Sequence, residues 1–215
     1  MDDEILQIHG DPPGTKPEGI TRLIYENANG FHNSMAGNFK LERAKEMIHE
    51  LPANIVAFNE HKTNLSHTKN VNGFRKLFQG GEADLRAIAA HNVHFNVGRR
   101  QEGGMCLLAF GTILGQYSSD NSGKDDSGLG HWTYMTFKGK EGFTTRVVCG
   151  YNPCYSSRKS GTSTAYQLQK NYWVGTKKNM VCPRTKFRED LISLLKGWRE
   201  QGDRLVVCLD ANEHI

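Results

Sequence analysis

The chain has 215 residues, enough for one large domain or two very small ones. Hydrophobic residues make up 37% of it and charged residues 23%, which is the composition of a globular protein and not of a disordered chain. No apolar run reaches the roughly 18 residues that a membrane-spanning helix needs, so we expect no membrane partner. The net charge of +4 would suit a polyanionic substrate but selects no function by itself.

The amino-terminal region predicts a leader ahead of a single domain. Residues 1–20 are rich in glycine and proline, which predicts a flexible leader, and residues 21–215 then form one domain. The acidic start is followed by no apolar signal core. Three of the five cysteines lie in apolar runs, which predicts buried free thiols: Cys106, Cys149 and Cys208. These features predict an intracellular protein, in the cytoplasm or the nucleus.

The first part of the domain predicts a strand, a helix and a second strand. Residues 22–27 form a short apolar strand. A helix follows from about residue 38, because apolar residues recur every three or four positions, at Leu41, Ala44, Ile48 and Leu51. Pro52 ends this helix, and residues 55–58 are a buried strand that leads into Glu60. This order favours a sheet that is covered by helices.

The middle of the chain gives a weaker signal. Residues 105–110 predict a strand, and residues 131–137 and 145–150 predict the two strands of a hairpin. Residues 118–130 and 156–164 are polar and contain glycine, so we predict two exposed loops.

The end of the chain predicts a helix and then a strand. Apolar residues line one face of the helix, at Phe187, Leu191, Leu194, Leu195 and Trp198. The pair Gln201–Gly202 ends it. Residues 205–209 form a buried strand that delivers Asp210 to its carboxyl end.

Three of these strands end in oxygen-bearing side chains. They are Asn27 and Asn29 after the first strand, Asn59 and Glu60 after the second, and Asp210, Asn212 and Glu213 after the last. Carboxylate and amide oxygens suit a hard cation such as Mg²⁺, which leaves room for water and phosphate. A single polar residue after a strand is more often a turn residue or a helix cap, but three strands that all end in this way indicate a common site. We predict a divalent-metal site for phosphoester hydrolysis, formed mostly by Asn27, Glu60, Asp210 and Asn212.

Short motifs in matching order resemble those of the endonuclease/exonuclease/phosphatase superfamily. Segment Tyr25–Gly30 is similar to its opening Asn-x-Asn/Asp-Gly motif, and Phe58–Lys62 is similar to its Gln-Glu-Thr or Gln-Glu-His motif. Later segments resemble its glycine, tyrosine and Gly-Asp-Phe-Asn-Glu motifs: Glu102–Gly104, Gly150–Pro153 and Leu209–Glu213. The resemblance spans nearly all of the predicted domain, and is strongest to abasic-site endonucleases and to the endonuclease domains of non-LTR retroelements.

This resemblance implies an α/β fold, a two-sheet sandwich in four layers (α/β/β/α), with the site between the sheet edges. It implies that Glu60 holds Mg²⁺, or Mn²⁺ in its place, and that Asn27 orients that carboxylate and is a second metal-site residue. Asp210 would orient or deprotonate the attacking water, Asn212 would contact the scissile phosphate, and Tyr151 would hydrogen-bond or pack against it. Metal and amide groups of this kind neutralise charge on a phosphodiester and position its nucleophile.

The chain departs from the superfamily pattern in three places. Asn29 stands where Asp is common, and Asn59 stands where Gln is usual. The superfamily's closing segment, a late Asp and a terminal Ser-Asp-His strand, is absent from the 215 residues. We therefore expect a sandwich that lacks its last strands, binds Mg²⁺ weakly and shows little or no DNA nicking. An open sheet edge would also favour association.

The sequence is consistent with three functions. The first is a Mg²⁺-dependent phosphodiesterase of endonuclease type that acts on nucleic acid, above all DNA, in a retroelement or in DNA repair. The second is a phosphatase of the same superfamily that acts on an inositol lipid or a nucleotide. The third is a non-catalytic fragment that binds nucleic acid or a protein. Lys62 could contact phosphate, although solvation is the more frequent reason for a loop lysine, and His61 is predicted to be structural.

Overall fold

The computed structural model describes residues 15–31, 35–65, 75–76, 78, 84–95, 101–157, 161–177 and 181–212. Of the predicted leader, residues 1–14 lie outside the described residues, and residues 15–20 are largely exposed.

The described part of the chain contains eight strands and three α-helices, besides helical residues at 75, 76 and 78. The strands are β1 (Leu23–Asn27), β2 (Ile55–Asn59), β3 (Leu85–Ala90), β4 (Met105–Phe110), β5 (Gly123–Lys124), β6 (Trp132–Lys138), β7 (Thr144–Tyr151) and β8 (Arg204–Asp210). The helices are α1 (Met35–Glu50), α2 (Ala165–Lys177) and α3 (Pro183–Glu200). None of these helices is long and apolar enough to cross a bilayer. The sequence predicted neither β3 nor α2.

The strands form two sheets of four, in the orders β1-β2-β4-β3 and β5-β6-β7-β8. Strands β1 and β2 run parallel, with Asn27 beside Asn59. Strands β7 and β8 also run parallel, with Tyr151 beside Asp210. Each parallel pair therefore ends in polar residues on a common edge of its sheet.

Alternate residues of β2 belong to two different cores, because successive side chains of a strand point to opposite faces. Phe58 is fully buried in a cluster with Leu41 of α1 on the outer face of the first sheet. Ala57 is fully buried in a cluster with Met135 and Val147 between the two sheets. A third cluster covers the outer face of the second sheet and includes Phe187 of α3. The layers are thus α/β/β/α, and the predicted two-sheet α/β sandwich is confirmed.

The segment 118–130 differs from its prediction as an exposed loop. It contains β5, and the side chain of Asp125 is buried. This carboxylate accepts hydrogen bonds from the backbone N–H of Ser127 at 2.9 Å and of His131 at 3.1 Å, and from the Ser127 hydroxyl at 2.7 Å. The prediction was wrong here because one carboxylate folds a polar segment back onto the sheet. In the other predicted loop, residues 158–160 lie outside the described residues.

Asn59 links the two sheets through their buried interface. Its Nδ2 donates to the Tyr25 hydroxyl at 2.8 Å and to the Gly150 carbonyl of the second sheet at 3.0 Å. Its Oδ1 accepts the Cys149 thiol at 2.7 Å. Asn59 is fully buried, and such a group is tolerated only when its hydrogen bonds are made. The link holds the two sheets together close to the edge where β1 and β2 end.

We expect Asn59→Ala to lower the free energy of unfolding by about 3 kcal/mol, because it removes the side-chain donors to the Tyr25 hydroxyl and the buried Gly150 carbonyl and the nearer of the two acceptors of the Cys149 thiol. Urea denaturation measures this change. The matched control is Asn171→Ala on the exposed face of α2, which should change stability by less than about 0.5 kcal/mol. Equal stability of the two variants would contradict the proposed link.

Candidate active site

The polar ends of β1 and β8 meet at one edge of the sandwich. Asn27 Nδ2 donates to Asp210 Oδ2 at 2.8 Å, although the two residues are 183 positions apart in the chain. Asn27 Oδ1 accepts the backbone N–H of Asn29 at 3.0 Å. The amide of Asn27 therefore holds Asp210, whereas the sequence analysis expected it to orient Glu60.

Glu60 has two charged or polar partners at this edge. Its Oε2 lies 3.2 Å from Lys62 Nζ, and the two side chains are only 15% and 14% exposed. Lys62 Nζ also donates to Asn29 Oδ1 at 2.6 Å. The Tyr151 hydroxyl is hydrogen-bonded to the Glu60 carboxylate. The structure thus places Lys62 at the site, where the sequence analysis favoured a solvated loop lysine.

The charges of both carboxylates of the site, Glu60 and Asp210, act on the Tyr151 hydroxyl. Burial, and then the negative charge of Glu60 and of Asp210, raise the pKa of the Tyr151 phenol above its ordinary value. The hydroxyl therefore stays protonated at neutral pH and acts as a hydrogen-bond donor. It is the only neutral O–H donor that these observations place against Glu60 within the described residues.

Asp210 is a carboxylate whose charge is disfavoured by its surroundings. Burial raises the pKa of Asp210, and the nearby charge of Glu60 raises it further. The backbone N–H of Asn212, 3.3 Å from Asp210 Oδ1, and the amide of Asn27 oppose this rise. A bound cation would offset the repulsion between the carboxylates of Glu60 and Asp210.

The loops that follow β7 and β8 are tied to each other. Asn212 Nδ2 donates to the Asn152 carbonyl at 2.7 Å, and Asn152 Nδ2 donates to the Ala211 carbonyl at 2.9 Å. Arg184, at the start of α3, donates to the carbonyls of Asn212 at 2.9 Å and of Pro153 at 3.3 Å. Sequence reasoning missed Arg184, since an arginine in the first turn of a helix has no distinguishing pattern. The predicted contact of Asn212 with phosphate stays a prediction.

Left-handed backbone conformations concentrate at this edge. Asn29, Glu60, Lys62 and Asn212 have φ values of 42°, 50°, 50° and 49°. They are four of the five non-glycine residues with positive φ in the described chain. Such conformations are disfavoured for Glu and Lys and persist where the surroundings hold them, commonly at functional sites. Here the Glu60 carbonyl accepts Gly30 N–H at 2.7 Å, and Lys62 N–H donates to the Gly103 carbonyl at 2.9 Å.

His61 turns away from the carboxylates and into the core. Its Nε2 donates to the Ala90 carbonyl at 3.3 Å, and its Nδ1 accepts the backbone N–H of Thr63 at 3.1 Å. Burial lowers the pKa of His61 to about 4, so the ring is neutral at pH 7. A Cβ on Gly104 would lie 2.6 Å from the His61 ring, so only glycine fits there. The predicted structural role of His61 is confirmed.

The oxygen donors at the edge suit a hard cation such as Mg²⁺. Within the described ranges, no group of three or more His, Cys, Asp or Glu side chains could hold a metal. Zn²⁺ needs at least three such ligands. Mg²⁺ instead takes one or two carboxylates and keeps several waters, which is what Glu60 and Asp210 could provide.

No protein-family model matches the chain, and no curated relative matches it. Solved structures do match it in fold. The human Nocturnin catalytic domain with bound sulfate is 13% identical, with a TM-score of 0.47, over 90% of this chain and 64% of that one. The 3′ phosphatase NExo from Neisseria, bound to a product DNA hairpin, is 12% identical, with a TM-score of 0.40, over 81% of this chain and 53% of that one.

A third solved structure carries the superfamily's name. It is an endonuclease/exonuclease/phosphatase family protein from Leptotrichia buccalis, 10% identical, with a TM-score of 0.36, over 74% of this chain and 62% of that one. The chain spans between 53% and 64% of the length of these three structures. The likeness is one of fold, and the chemistry of the site depends on the chain's own side chains.

Asp210→Asn is expected to stabilise the protein at pH 7. A carboxyl whose pKa is higher in the folded state than the value near 3.9 of the unfolded state loses stability as pH rises through the folded pKa. The neutral amide avoids this loss, so its advantage should be present at pH 7 and shrink as pH falls toward 4. Urea denaturation at both pH values measures it.

The control for this prediction is Asp203→Asn, which breaks the ion pair with Arg146 at the opposite end of β8. It should destabilise the protein at pH 7. A loss of stability at pH 7 in Asp210→Asn as well, or a gain that does not change with pH, would contradict the electrostatic description of Asp210.

Proposed function

We propose that the chain is a Mg²⁺-dependent phosphodiesterase of endonuclease type that acts on nucleic acid, with DNA as the substrate. The observation that carries the proposal is the convergence of Glu60, Tyr151 and the Asn27–Asp210 pair at one sandwich edge. Separate strands deliver these groups, so their meeting is a property of the fold and not of one local turn.

Each side chain has a chemical role in this proposal. Asp210 orients the attacking water and accepts its proton, since a carboxylate with a raised pKa is a stronger base than an ordinary one. Asn27 is the positioning residue that holds Asp210 through its amide. Tyr151 donates its protonated hydroxyl to a non-bridging oxygen of the phosphate. Asn212 supplies an amide contact to the same phosphate.

Glu60 is the residue that would hold Mg²⁺, or Mn²⁺ in its place, with Asp210 beside it. When bound there, the ion would neutralise charge at the phosphate oxygens and at the leaving group. Lys62, which lies 3.2 Å from Glu60, keeps positive charge at the same place. Asn27 is not among the ligands in this proposal, because its oxygen accepts the Asn29 N–H and its nitrogen holds Asp210.

A polyanionic substrate is supported by the cations around the edge. Lys62 contacts Glu60 and Asn29, and Lys40 Nζ lies 2.9 Å from the Asn29 carbonyl. Arg184 donates hydrogen bonds to carbonyls in the loops that follow β7 and β8. The whole chain carries a net charge of +4. The motif resemblance to abasic-site and retroelement endonucleases supports DNA and a place in repair or in a retroelement.

Glu60→Gln tests the metal assignment and the chemistry separately. The substitution keeps the size of the side chain and removes its charge. Mn²⁺ binding, followed by the electron paramagnetic resonance signal of the free ion, should weaken at least about tenfold, since even the loss of groups behind a metal ligand costs that much. The wild-type rate of Mg²⁺-dependent nicking of supercoiled DNA, which the departures from the superfamily pattern predict to be low, should fall further, by about hundredfold.

The control is Glu189→Gln on the exposed face of α3, which should bind Mn²⁺ as the wild type does. Unchanged Mn²⁺ binding in Glu60→Gln would contradict the metal assignment. Release of phosphate from a 3′-phosphorylated oligonucleotide without any nicking would contradict the endonuclease assignment and favour a phosphatase.

A further inference from the structure

A groove lies between the loop that follows β7 and helix α2. It has a volume of about 420 Å³, and its lining includes Tyr155, Ser156, Tyr166, Lys170 and Asn171. None of these residues takes part in the contacts of Glu60 and Asp210. The groove therefore has to be explained separately from the hydrolytic site.

Tyr155 presents an aromatic ring to solvent in this groove. Its side chain is 66% exposed, while its neighbour Tyr166 is only 6% exposed. The two rings pack edge to face, with centroids 5.1 Å apart and planes at 64°. The buried ring thus supports the exposed one and leaves much of its surface open for stacking.

The segment that carries Tyr155 is held in place by α2. Gln167 Nε2 donates to the Ser156 carbonyl at 2.5 Å, and the Ser156 and Thr164 hydroxyls lie 2.5 Å apart. The Gln167 side chain is almost fully buried. A ring on a segment fixed in this way loses little conformational entropy when it binds a ligand.

The groove is close to the place where a phosphodiester would be cut. Tyr155 follows Tyr151 by four residues, and four residues span at most about 14 Å. Tyr151 hydrogen-bonds the Glu60 carboxylate. The Tyr155 backbone therefore lies within this distance of Tyr151, and Lys170 lines the same groove as Tyr155.

We propose that Tyr155 and Lys170 form a binding site for an unpaired nucleobase and its phosphate, next to the cleaved bond. The proposal rests on the proposed function of the neighbouring site and specifies its substrate. The faces of a paired base are covered by stacking within the duplex, so only an unpaired base can lie on the Tyr155 ring. The substrate is accordingly single-stranded DNA, or duplex DNA with an extruded nucleotide, and stacking on an aromatic ring is largely independent of base identity.

Binding without turnover tests this proposal. Anisotropy of a labelled single-stranded oligonucleotide, in the absence of divalent metal, is compared with that of an equally long strand with a central run of abasic sites. The wild-type protein should bind the strand with bases more tightly than the abasic strand. Tyr155→Ala should weaken binding of that strand by about 5- to 100-fold and remove the preference over the abasic strand. Tyr155→Phe keeps the ring, so it should keep both the affinity for the strand with bases and the preference over the abasic strand.

Phe143→Ala is the matched control, because Phe143 is also a partly exposed aromatic residue but lies beside the opposite end of β7. It should leave the preference unchanged. Lys170→Ala should weaken binding of both strands by the same factor and lower the dependence on salt. The proposal would be overturned if Tyr155→Ala still preferred the strand with bases over the abasic strand. It would also be overturned if Tyr155→Ala lost as much affinity for fully paired duplex DNA as for single-stranded DNA.

The two proposals fail in different ways. If Glu60→Gln abolishes nicking while Tyr155→Ala binds like the wild type, the base site is wrong and the hydrolytic site stands. If Tyr155 controls base-dependent binding while Glu60→Gln changes neither metal binding nor nicking, the base site stands and the proposed hydrolase function is wrong.

Discussion

The hydrogen bond between Asn27 and Asp210 is the contact on which the site depends. It joins β1, the first strand of one sheet, to β8, the last described strand of the other, across 183 positions of sequence. The bond forms only if both sheets are complete up to these strands and are packed at the correct angle. Asn59 provides that packing from within, through its bond to the Gly150 carbonyl of the opposite sheet. The fold and the site are therefore held by the same polar contacts.

The like charges and the backbone conformations at this edge lower the stability of the fold, as is common at functional sites. Glu60 and Asp210 raise each other's energy as like charges, and burial adds to the rise in the pKa of Asp210. Glu60 and Lys62 are held in left-handed backbone conformations by main-chain hydrogen bonds. Such features are commonly found at functional sites, and they support the proposed cation and phosphate site.

Much of the fold was predictable from the sequence, because several elements carry their own signal. The apolar stripe of α1, the buried run of β2 and the amphipathic face of α3 lie within the predicted ranges to within a few residues. Cys106, Cys149 and Cys208 are buried free thiols, as predicted. Strand β3 was missed since it contains three alanines, which favour helices, and pairing with β4 overrides that tendency.

The site could be predicted as a set of residues but not as a set of contacts. The polar strand ends mark Asn27, Glu60 and Asp210, yet nothing in the sequence says which of the two carboxylates Asn27 holds. Lys62 was undervalued because its approach to Glu60 depends on left-handed turns that contain no glycine to mark them. Tyr155 was missed for a related reason, because the packing of Tyr166 against its ring depends on the position of α2, an element the sequence did not indicate.

The most direct test of the central claim, that one cation site lies at this edge, is anomalous diffraction from crystals of the protein soaked in Mn²⁺. We expect a single strong anomalous peak about 2.1 Å from a Glu60 carboxylate oxygen, on the side of the edge that faces Asp210. A peak elsewhere on the molecule with none at Glu60, at Mn²⁺ concentrations that saturate binding in solution, would contradict it.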